Sequence, residues 1–128
     1  MTPAGFAELP NQKDYGYRAA NAEGVVISVR REPNSPSGDL PFWAGAVDAQ
    51  LRRQGYVADK ALDVESANGL HGRQIQYHIE REGRPFVFWC STFVTESQVF
   101  VVEAGGDRAY FDKLETAVRD SLRSLEIE

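Results

Sequence analysis

The sequence predicts an α+β fold in which an antiparallel sheet is covered by one helix on each face, an α/β/α sandwich. Residues 73–104 form three predicted consecutive strands joined by two short turns, and their apolar side chains alternate onto both faces. Both faces must then be covered, because either face left bare would be a large exposed apolar patch. Two amphipathic segments, residues 39–54 and 107–125, provide the two covering helices.

The N-terminal part of the chain supplies further strands. Residues 1–14 are expected to be an N-terminal extension and residues 15–128 a single domain, since a chain of 128 residues lies within the size range of one hydrophobic core. Segments 15–20 and 24–31 are predicted strands. The second of these segments alternates apolar side chains at Val25, Ile27 and Val29.

The first helix follows a loop of residues 32–38, which is rich in proline, asparagine, serine and glycine. Asp39 is the predicted N-cap, Pro41 falls in the first turn, and Gly55 is the predicted stop at the C-terminal end. The side of the helix that faces the sheet is expected to carry Leu40, Trp43, Ala44, Val47 and Leu51.

A short strand is expected near residues 62–65, and Asn68-Gly69 then turns the chain into the three-strand meander. Glu82 and Gly83 form the first predicted hairpin loop, because glycine tolerates the positive φ that a two-residue turn requires. Residues 95–98 form the next predicted turn.

These two turns fix the expected register of the meander. Ile75 should lie opposite Cys90, and Val94 opposite Val99. One predicted face of the sheet is made of Ile75, Tyr77, Ile79, Phe86, Phe88, Cys90, Val94, Val99 and Val101. The other predicted face carries Val87, Trp89, Phe93, Phe100 and Val102, with Gln76 and His78 toward the edge.

The second helix is predicted from Asp107, its N-cap, to Leu125. Its apolar stripe begins at Tyr110 or Phe111 and continues at three- and four-residue steps through Leu114, Val118, Leu122 and Leu125. Most charged residues of the segment fall off this stripe, as expected for a helix with one side in water.

Composition limits the function classes. The formal net charge is -5 and there is no run of Lys and Arg, which argues against a nucleic-acid partner. One cysteine excludes a disulfide within the chain. No segment has the length and apolarity of a membrane span or a signal peptide. These observations leave the compartment open: cytoplasmic for the sequence as written, or the cell envelope if a leader precedes it.

No catalytic residue is predicted. Cys90 is the obvious nucleophile and His78 the obvious base, but the register places them on opposite faces of the sheet. Cys90 is therefore expected to be a small core residue. Ser91 shares a face with His78, yet its cross-strand neighbour is Gln74, so no dyad is expected there either.

No metal site and no cofactor are predicted. His71 and His78 should point to opposite faces and lie about 23 Å apart in an extended segment. Asp59, Asp63 and Glu65 form a small acidic cluster that lacks the pattern of a calcium loop. The glycine pairs at Gly69 and Gly72 and at Gly105-Gly106 match neither the dinucleotide fingerprint nor the phosphate loop, and are interpreted as turns.

The order of elements resembles the PsbP-like fold group, which includes the photosystem II extrinsic protein PsbP, a Ran-binding relative and small bacterial lipoproteins and adaptors. The residues that carry the resemblance are Gly69 to Gly72 before a strand, Glu82-Gly83 in a hairpin, Val99 to Val102, and a last helix that runs into Ser124-Leu125-Glu126-Ile127. The resemblance covers residues 15–127. It implies an antiparallel sheet between helices, a binding or assembly role, and no shared catalytic residue.

The first helix is more apolar than a surface helix requires, because residues 40–47 are apolar around most of its circumference. One interpretation is deeper burial of the helix under residues 30–38. The other is a contact with a partner or ligand centred on Phe42 and Trp43, with Ala46 beside them.

Three functional hypotheses follow from these observations. The leading one is a non-enzymatic binding or assembly module with a protein partner. The alternative is a small-molecule binder with an aromatic pocket between Trp89, Phe93, Phe100 and a covering helix. An enzyme is the third hypothesis, and it would need a cluster of perturbed ionisable groups in a cleft, which the sequence does not reveal.

Overall fold

The structure is a computed structural model, and it describes residues 6–8, 15–22, 24–35 and 37–124. These residues form a sheet of seven strands and two helices. In chain order the elements are β1 (Phe6–Glu8), β2 (Tyr15–Asn21), β3 (Val26–Pro33), α1 (Leu40–Arg53), β4 (Val57–Glu65), β5 (His71–Arg81), β6 (Arg84–Val94), β7 (Gln98–Asp107) and α2 (Arg108–Arg123). The predicted α+β fold is therefore confirmed.

The strands lie in the order β1-β2-β3-β7-β6-β5-β4, and all neighbouring pairs are antiparallel. The meander β5-β6-β7 is continuous, β3 joins the free side of β7, and α1 carries the chain across the sheet to β4. Ile75 pairs with Cys90 and Val94 with Val99, so the register predicted from the turns is confirmed. Gly83 has a φ of 75° in the first of those turns, as a two-residue hairpin loop requires.

Each face of the sheet is covered by one helix, as predicted. The face that we call the α1 face carries a buried cluster of Leu51, Tyr77, Cys90, Val99 and Val101. The opposite face, the α2 face, carries a buried cluster of Val25, Ile27, Val87, Trp89, Ala104, Phe111 and Val118. The sheet thus separates two cores, and a side chain of β5, β6 or β7 belongs to one or the other by its parity.

Both helices begin at the predicted caps. The Asp39 carboxylate accepts a hydrogen bond from the Phe42 N–H at 3.0 Å, and the Asp107 carboxylate accepts one from the Ala109 N–H at 3.0 Å. Phe111, 1% exposed, takes the first core position of α2, whereas Tyr110 is 38% exposed. The predicted stripe position at Leu125 lies outside the described residues.

Three segments differ from expectation. Gly105-Gly106, interpreted from the sequence as a turn, lie within β7 and pair with β6. The strand expected near residues 62–65 is longer, because β4 has nine residues and pairs with β5 along its whole length. A register shift between Ala58 and Lys60 interrupts the alternation there, which removes the pattern that would reveal the strand in the sequence. In addition, β1 lies within the expected extension 1–14 and pairs with β2 at the edge of the sheet.

Candidate functional site

The outer side of α1 exposes a contiguous apolar surface. We define the α1 outer patch as Pro41, Phe42, Gly45, Ala46 and Ala49, all of which are exposed. The residues of α1 that face the sheet are Ala44 and Leu51, which are buried, and helical periodicity places Phe42 on the opposite side of the helix from them. Phe42 is 52% exposed. A large aromatic side chain is thus half in water at the N-terminal end of an apolar surface.

The Phe42 ring is fixed by its neighbours. It packs edge-on against the Trp43 ring, with 5.2 Å between ring centroids and an interplanar angle of 89°. It also lies directly against Gly38, where any side chain would collide with the ring. The exposed ring therefore has a defined orientation before any partner arrives.

Trp43 is in turn held by Asn34, which lies in the loop before α1. The indole N–H of Trp43 donates to the Asn34 side-chain oxygen at 2.7 Å, and the Gly38 N–H donates to the same oxygen at 2.9 Å. The Asn34 amide nitrogen donates to the Thr95 carbonyl at 3.0 Å. One asparagine thus ties the loop, α1 and the β6-β7 turn together. The sequence identified Asn34 only as a loop former, because a bond between residues so far apart has no local signal.

The structure places the three predicted contact residues differently. Phe42 and Ala46 are exposed on the α1 outer patch, whereas Trp43 is half-buried and packs against the α1-face core. The loop before α1 thus contacts Trp43 through Asn34, and it contacts Phe42 at Gly38 while the Phe42 ring stays half exposed. In this arrangement Trp43 supports the exposed ring from below.

The predicted separation of Cys90 from His78 is confirmed, since Cys90 pairs with Ile75 on the α1 face and His78 pairs with Val87 on the α2 face. Burial, reinforced by the Glu103 carboxylate, raises the pKa of the Cys90 thiol far above its ordinary value. His78 instead contacts Asp59, with Nδ1 2.7 Å from a carboxylate oxygen. Cys90 therefore has neither the thiolate form nor the base that nucleophilic catalysis requires.

Two buried ionisable contacts lie beneath α1. The Tyr77 hydroxyl donates to the Asp48 carboxylate at 2.7 Å, and burial together with this bond raises the pKa of Tyr77 far above its ordinary value. Burial also raises the pKa of Glu103, which the Arg30 guanidinium at 3.6 Å partly offsets. The first contact joins α1 to β5 and the second joins β3 to β7. Both have the geometry of structural pairs.

The predicted neighbours Ser91 and Gln74 are in contact, with the Gln74 amide nitrogen donating to the Ser91 hydroxyl at 3.1 Å.

Among the described residues, no group of three or more His, Cys, Asp or Glu side chains lies close enough to hold a metal ion. His71 lies 3.8 Å from Glu65, and Asp59 contacts His78, so the predicted acidic cluster is divided between two pairs.

The expected aromatic pocket is only partly present. Phe111 fills the space beside Trp89, with 5.0 Å between ring centroids, and the Arg119 guanidinium lies 5.3 Å from the centre of the same ring. Farther along the α2 face, Phe93 lines a cavity of ≈ 370 Å³ to which neither Trp89 nor Phe100 contributes among the described lining residues. The sequence missed this cavity because it depends on where α2 crosses the sheet.

No helix in the described part of the chain is long and apolar enough to cross a membrane.

No family model matches the sequence, and no curated protein matches it. Solved structures do match. LpqN of Mycobacterium tuberculosis, described as involved in cell envelope biogenesis, matches with a TM-score of 0.77 and 12% identity over 93% of this chain and 76% of LpqN.

Two further structures show the same arrangement. A Pseudomonas aeruginosa protein of unknown function, PA94, matches with a TM-score of 0.60 and 19% identity over 100% of this chain and 85% of PA94. Cyanobacterial PsbP (CyanoP) from Synechocystis matches with a TM-score of 0.60 and 11% identity over 94% of this chain and 80% of CyanoP. At such identities the likeness establishes the fold alone, and that fold is PsbP-like, as the sequence predicted.

Proposed function

We propose that this protein is a non-enzymatic binding module that presents the α1 outer patch to a protein partner. The observation that carries the proposal is Phe42, which is 52% exposed although its ring has a fixed position. Burial of apolar surface drives most protein association, and rigid aromatic side chains are frequent anchors of such interfaces.

The surroundings of Phe42 favour a close contact. Gly45, Ala46 and Ala49 have no bulky side chains, so the backbone of a partner can approach α1 along this side. The hydrogen bonds that Asn34 accepts from Trp43 and donates to the Thr95 carbonyl fix the start of the helix, so little conformational entropy is lost on binding. The surface fits a partner with an apolar groove that accepts one phenyl ring.

The structural comparisons support an assembly role. LpqN is described as involved in cell envelope biogenesis, and this chain has the same fold over most of its length. The likeness to LpqN also supports a location in the cell envelope for this protein. Since the fold group has no shared reaction, the likeness favours binding over catalysis.

The proposal is tested by photo-crosslinking in cells of the native host. A photoreactive phenylalanine analogue replaces Ala46 on the α1 outer patch, and in a second protein it replaces Lys113, which is exposed on α2. We expect one defined protein, identified by mass spectrometry, to be crosslinked from position 46 and not from position 113. Equal crosslinking from both positions would contradict the proposal, and so would a crosslinked dimer of this chain.

The partner so identified is then purified and its affinity measured. Phe42→Ala is expected to weaken binding by about 30-fold, the effect of losing a central aromatic anchor worth about 2 kcal/mol. Tyr110→Ala is the matched control, because Tyr110 is an exposed aromatic residue in the first turn of α2. If the two variants weaken binding equally, the α1 outer patch is not the interface.

A further inference from the structure

A second site lies on the opposite side of the sheet from the α1 outer patch. The cavity of ≈ 370 Å³ on the α2 face opens between β4, β5 and the last turns of α2. We infer that it binds a small carboxylic acid whose apolar body enters the cavity, whose far end carries a hydroxyl or keto oxygen, and whose carboxylate stays at the mouth. The volume holds about a dozen groups the size of a water molecule.

The walls of the cavity are apolar. Leu62 and Val64 from β4 form one wall, Leu122 from α2 forms another, and Phe93 and Val102 complete it from the sheet. Side chains of this kind favour an aliphatic or aromatic body, because contact with them removes apolar surface from water.

The floor of the cavity is polar and is formed by Gln74 and Ser91, which are 5% and 3% exposed. The Gln76 amide nitrogen donates to the Gln74 oxygen at 2.8 Å, and the Gln74 nitrogen donates to the Ser91 hydroxyl oxygen at 3.1 Å. Within the described residues the Ser91 hydroxyl proton has no acceptor of its own. The floor therefore offers a hydrogen-bond donor to a ligand oxygen.

Positive charge lies at the mouth. Arg119 and Arg123 line the cavity from α2, and no described carboxylate lies within ion-pair distance of Arg123. Arg119 is placed by Glu115 at 3.2 Å. The paired N–H donors of an arginine match the two oxygens of a carboxylate, and at the mouth a carboxylate keeps part of its hydration.

The acidic residues of β4 do not cancel this charge. Leu62 pairs with Gln74 on the α2 face, so the alternation of β4 turns the next side chain, Asp63, to the α1 face. Glu65 follows the same parity and contacts His71. Asp63 and Glu65 border the cavity, but this parity turns both side chains toward the α1 face. Since Glu115 pairs with Arg119, the arginine at the mouth without an ion-pair partner among the described residues is Arg123.

The position of α2 explains why the space exists. The helix packs mainly on β6 and β7, whereas β5 packs mainly against α1 on the other face. The α2 face of β4 and β5 thus lies at the edge of α2. The cavity is formed at this edge and requires no rearrangement of the core.

The test is a titration of the ¹⁵N-labelled protein, followed by two-dimensional NMR, with three matched ligands. These are 8-hydroxyoctanoate, octanoate, which lacks the far hydroxyl, and 1,8-octanediol, which lacks the carboxylate. We expect saturable shifts of the Leu62, Gln74 and Ser91 amide signals, with 8-hydroxyoctanoate binding most tightly. Absence of shifts at these residues, or equal binding of the diol, would overturn the inference.

Charge-reversal variants test the mouth. Arg123→Glu is expected to weaken 8-hydroxyoctanoate binding by about fivefold to tenfold, the size expected when a partly exposed ion pair becomes a repulsion. Arg53→Glu is the matched control, since Arg53 is also an exposed arginine in the last turn of a helix, on the α1 side. If both variants weakened binding equally, the change in net charge alone would explain the effect. Arg123 would then not belong to the site.

A third variant tests the floor. Ser91→Ala is expected to abolish the preference for 8-hydroxyoctanoate over octanoate while octanoate still binds. A preference that survives in Ser91→Ala would remove Ser91 from the site. Phe42→Ala, on the other side of the molecule, is expected to leave all three titrations unchanged, so this inference and the proposed protein contact can fail independently.

Discussion

On its outer side α1 exposes Phe42, Ala46 and Ala49, whereas the outer side of α2 exposes charged residues such as Asp112 and Asp120. Both helices begin with an aspartate cap and both cover one apolar face of the same sheet. Since the requirements of the fold are the same for both, the apolar outer side of α1 is not explained by folding. An exposed apolar side of this kind supports the proposed contact with a protein partner.

The inner sides of the two helices also differ, because α1 is bonded to the sheet whereas the end of α2 leaves a cavity above it. Beneath α1 the side chains are joined to the sheet by a specific contact, in which Tyr77 donates to Asp48 at 2.7 Å. Beneath the end of α2 there is a cavity with Gln74 and Ser91 on its floor. The comparison therefore separates an exposed apolar surface, which we propose binds a protein, from a cavity, which we infer binds a small ligand, and the sheet lies between them.

The sharpest test of this comparison uses the same substitution in each helix. Phe111→Ala removes a ring that is 1% exposed and packs against Trp89, and we expect a loss of about 3–5 kcal/mol in the free energy of unfolding. Phe42→Ala removes a ring that is half in water, and we expect a loss below about 1 kcal/mol. Urea denaturation followed by tryptophan fluorescence measures both values.

The difference between the two variants is the decisive quantity. If Phe42 contributed to stability as much as Phe111, its ring would be part of the core and the α1 outer patch would not be a free surface. A small effect of Phe42→Ala on stability with a large effect on partner binding supports the division of roles between the helices.

A second pair of substitutions is expected to differ in sign. Gly72 lies on the α2 face, where a Cβ would come within 2.6 Å of the Phe93 ring and 2.7 Å of the Thr92 carbonyl oxygen. Gly72→Ala should therefore lower the free energy of unfolding by about 1–3 kcal/mol. Gly45 has open space around it in the exposed interior of α1, so Gly45→Ala should raise the free energy of unfolding by about 1 kcal/mol.

Thermal denaturation of the two alanine variants checks this pair. A loss of stability in Gly45→Ala would mean that the outer side of α1 is packed against another part of the chain. If Gly72→Ala left the free energy of unfolding unchanged, the Phe93 ring would be able to move away from the added methyl group. The cavity wall that this ring forms would then be deformable.

Local rules account for the part of the fold that was predicted correctly. The register of β5, β6 and β7 follows from the short loop at Glu82-Gly83 and from strict alternation, both of which involve near neighbours. The caps at Asp39 and Asp107 also depend on residues three or fewer positions away. Such features are readable because no distant part of the chain can alter them.

Features that depend on distant parts of the chain were missed or incomplete. The Asn34 contact with Thr95 joins residues 61 positions apart, and the cavity depends on how far α2 extends over β5. The start of β4 was missed because the register shift after Ala58 breaks its alternation and because an edge strand retains exposed charged side chains. Sequence patterns do not contain these relations.

The buried polar groups of the two faces also differ. The α2 face buries the neutral Gln74 and Ser91, whereas the α1 face encloses the Glu103 carboxyl, whose side chain is 17% exposed. Burial raises the pKa of Glu103, and Arg30, which also contacts Glu32 at 2.8 Å, acts against that rise. The folded protein therefore holds the Glu103 proton to a higher pH than the unfolded chain does. This contribution to stability is present below the unfolded pKa of about 4.3 and is lost as the pH rises through the folded pKa.

Glu103→Gln is accordingly expected to be more stable than the natural protein at pH 7, by a smaller margin than the changes above, because the amide avoids the cost of a buried charge while Arg30 keeps Glu32. The gain should shrink as the pH falls from the folded pKa toward about 4.3 and be lost below that value, where the carboxyl is protonated in both states. Urea denaturation at a series of pH values measures it. Glu32→Gln, at the more exposed partner of Arg30, is the control and should show no such gain at pH 7. A gain in Glu103→Gln that did not change with pH would show that Glu103 has the same pKa in the folded protein and in the unfolded chain, which would contradict the expected rise.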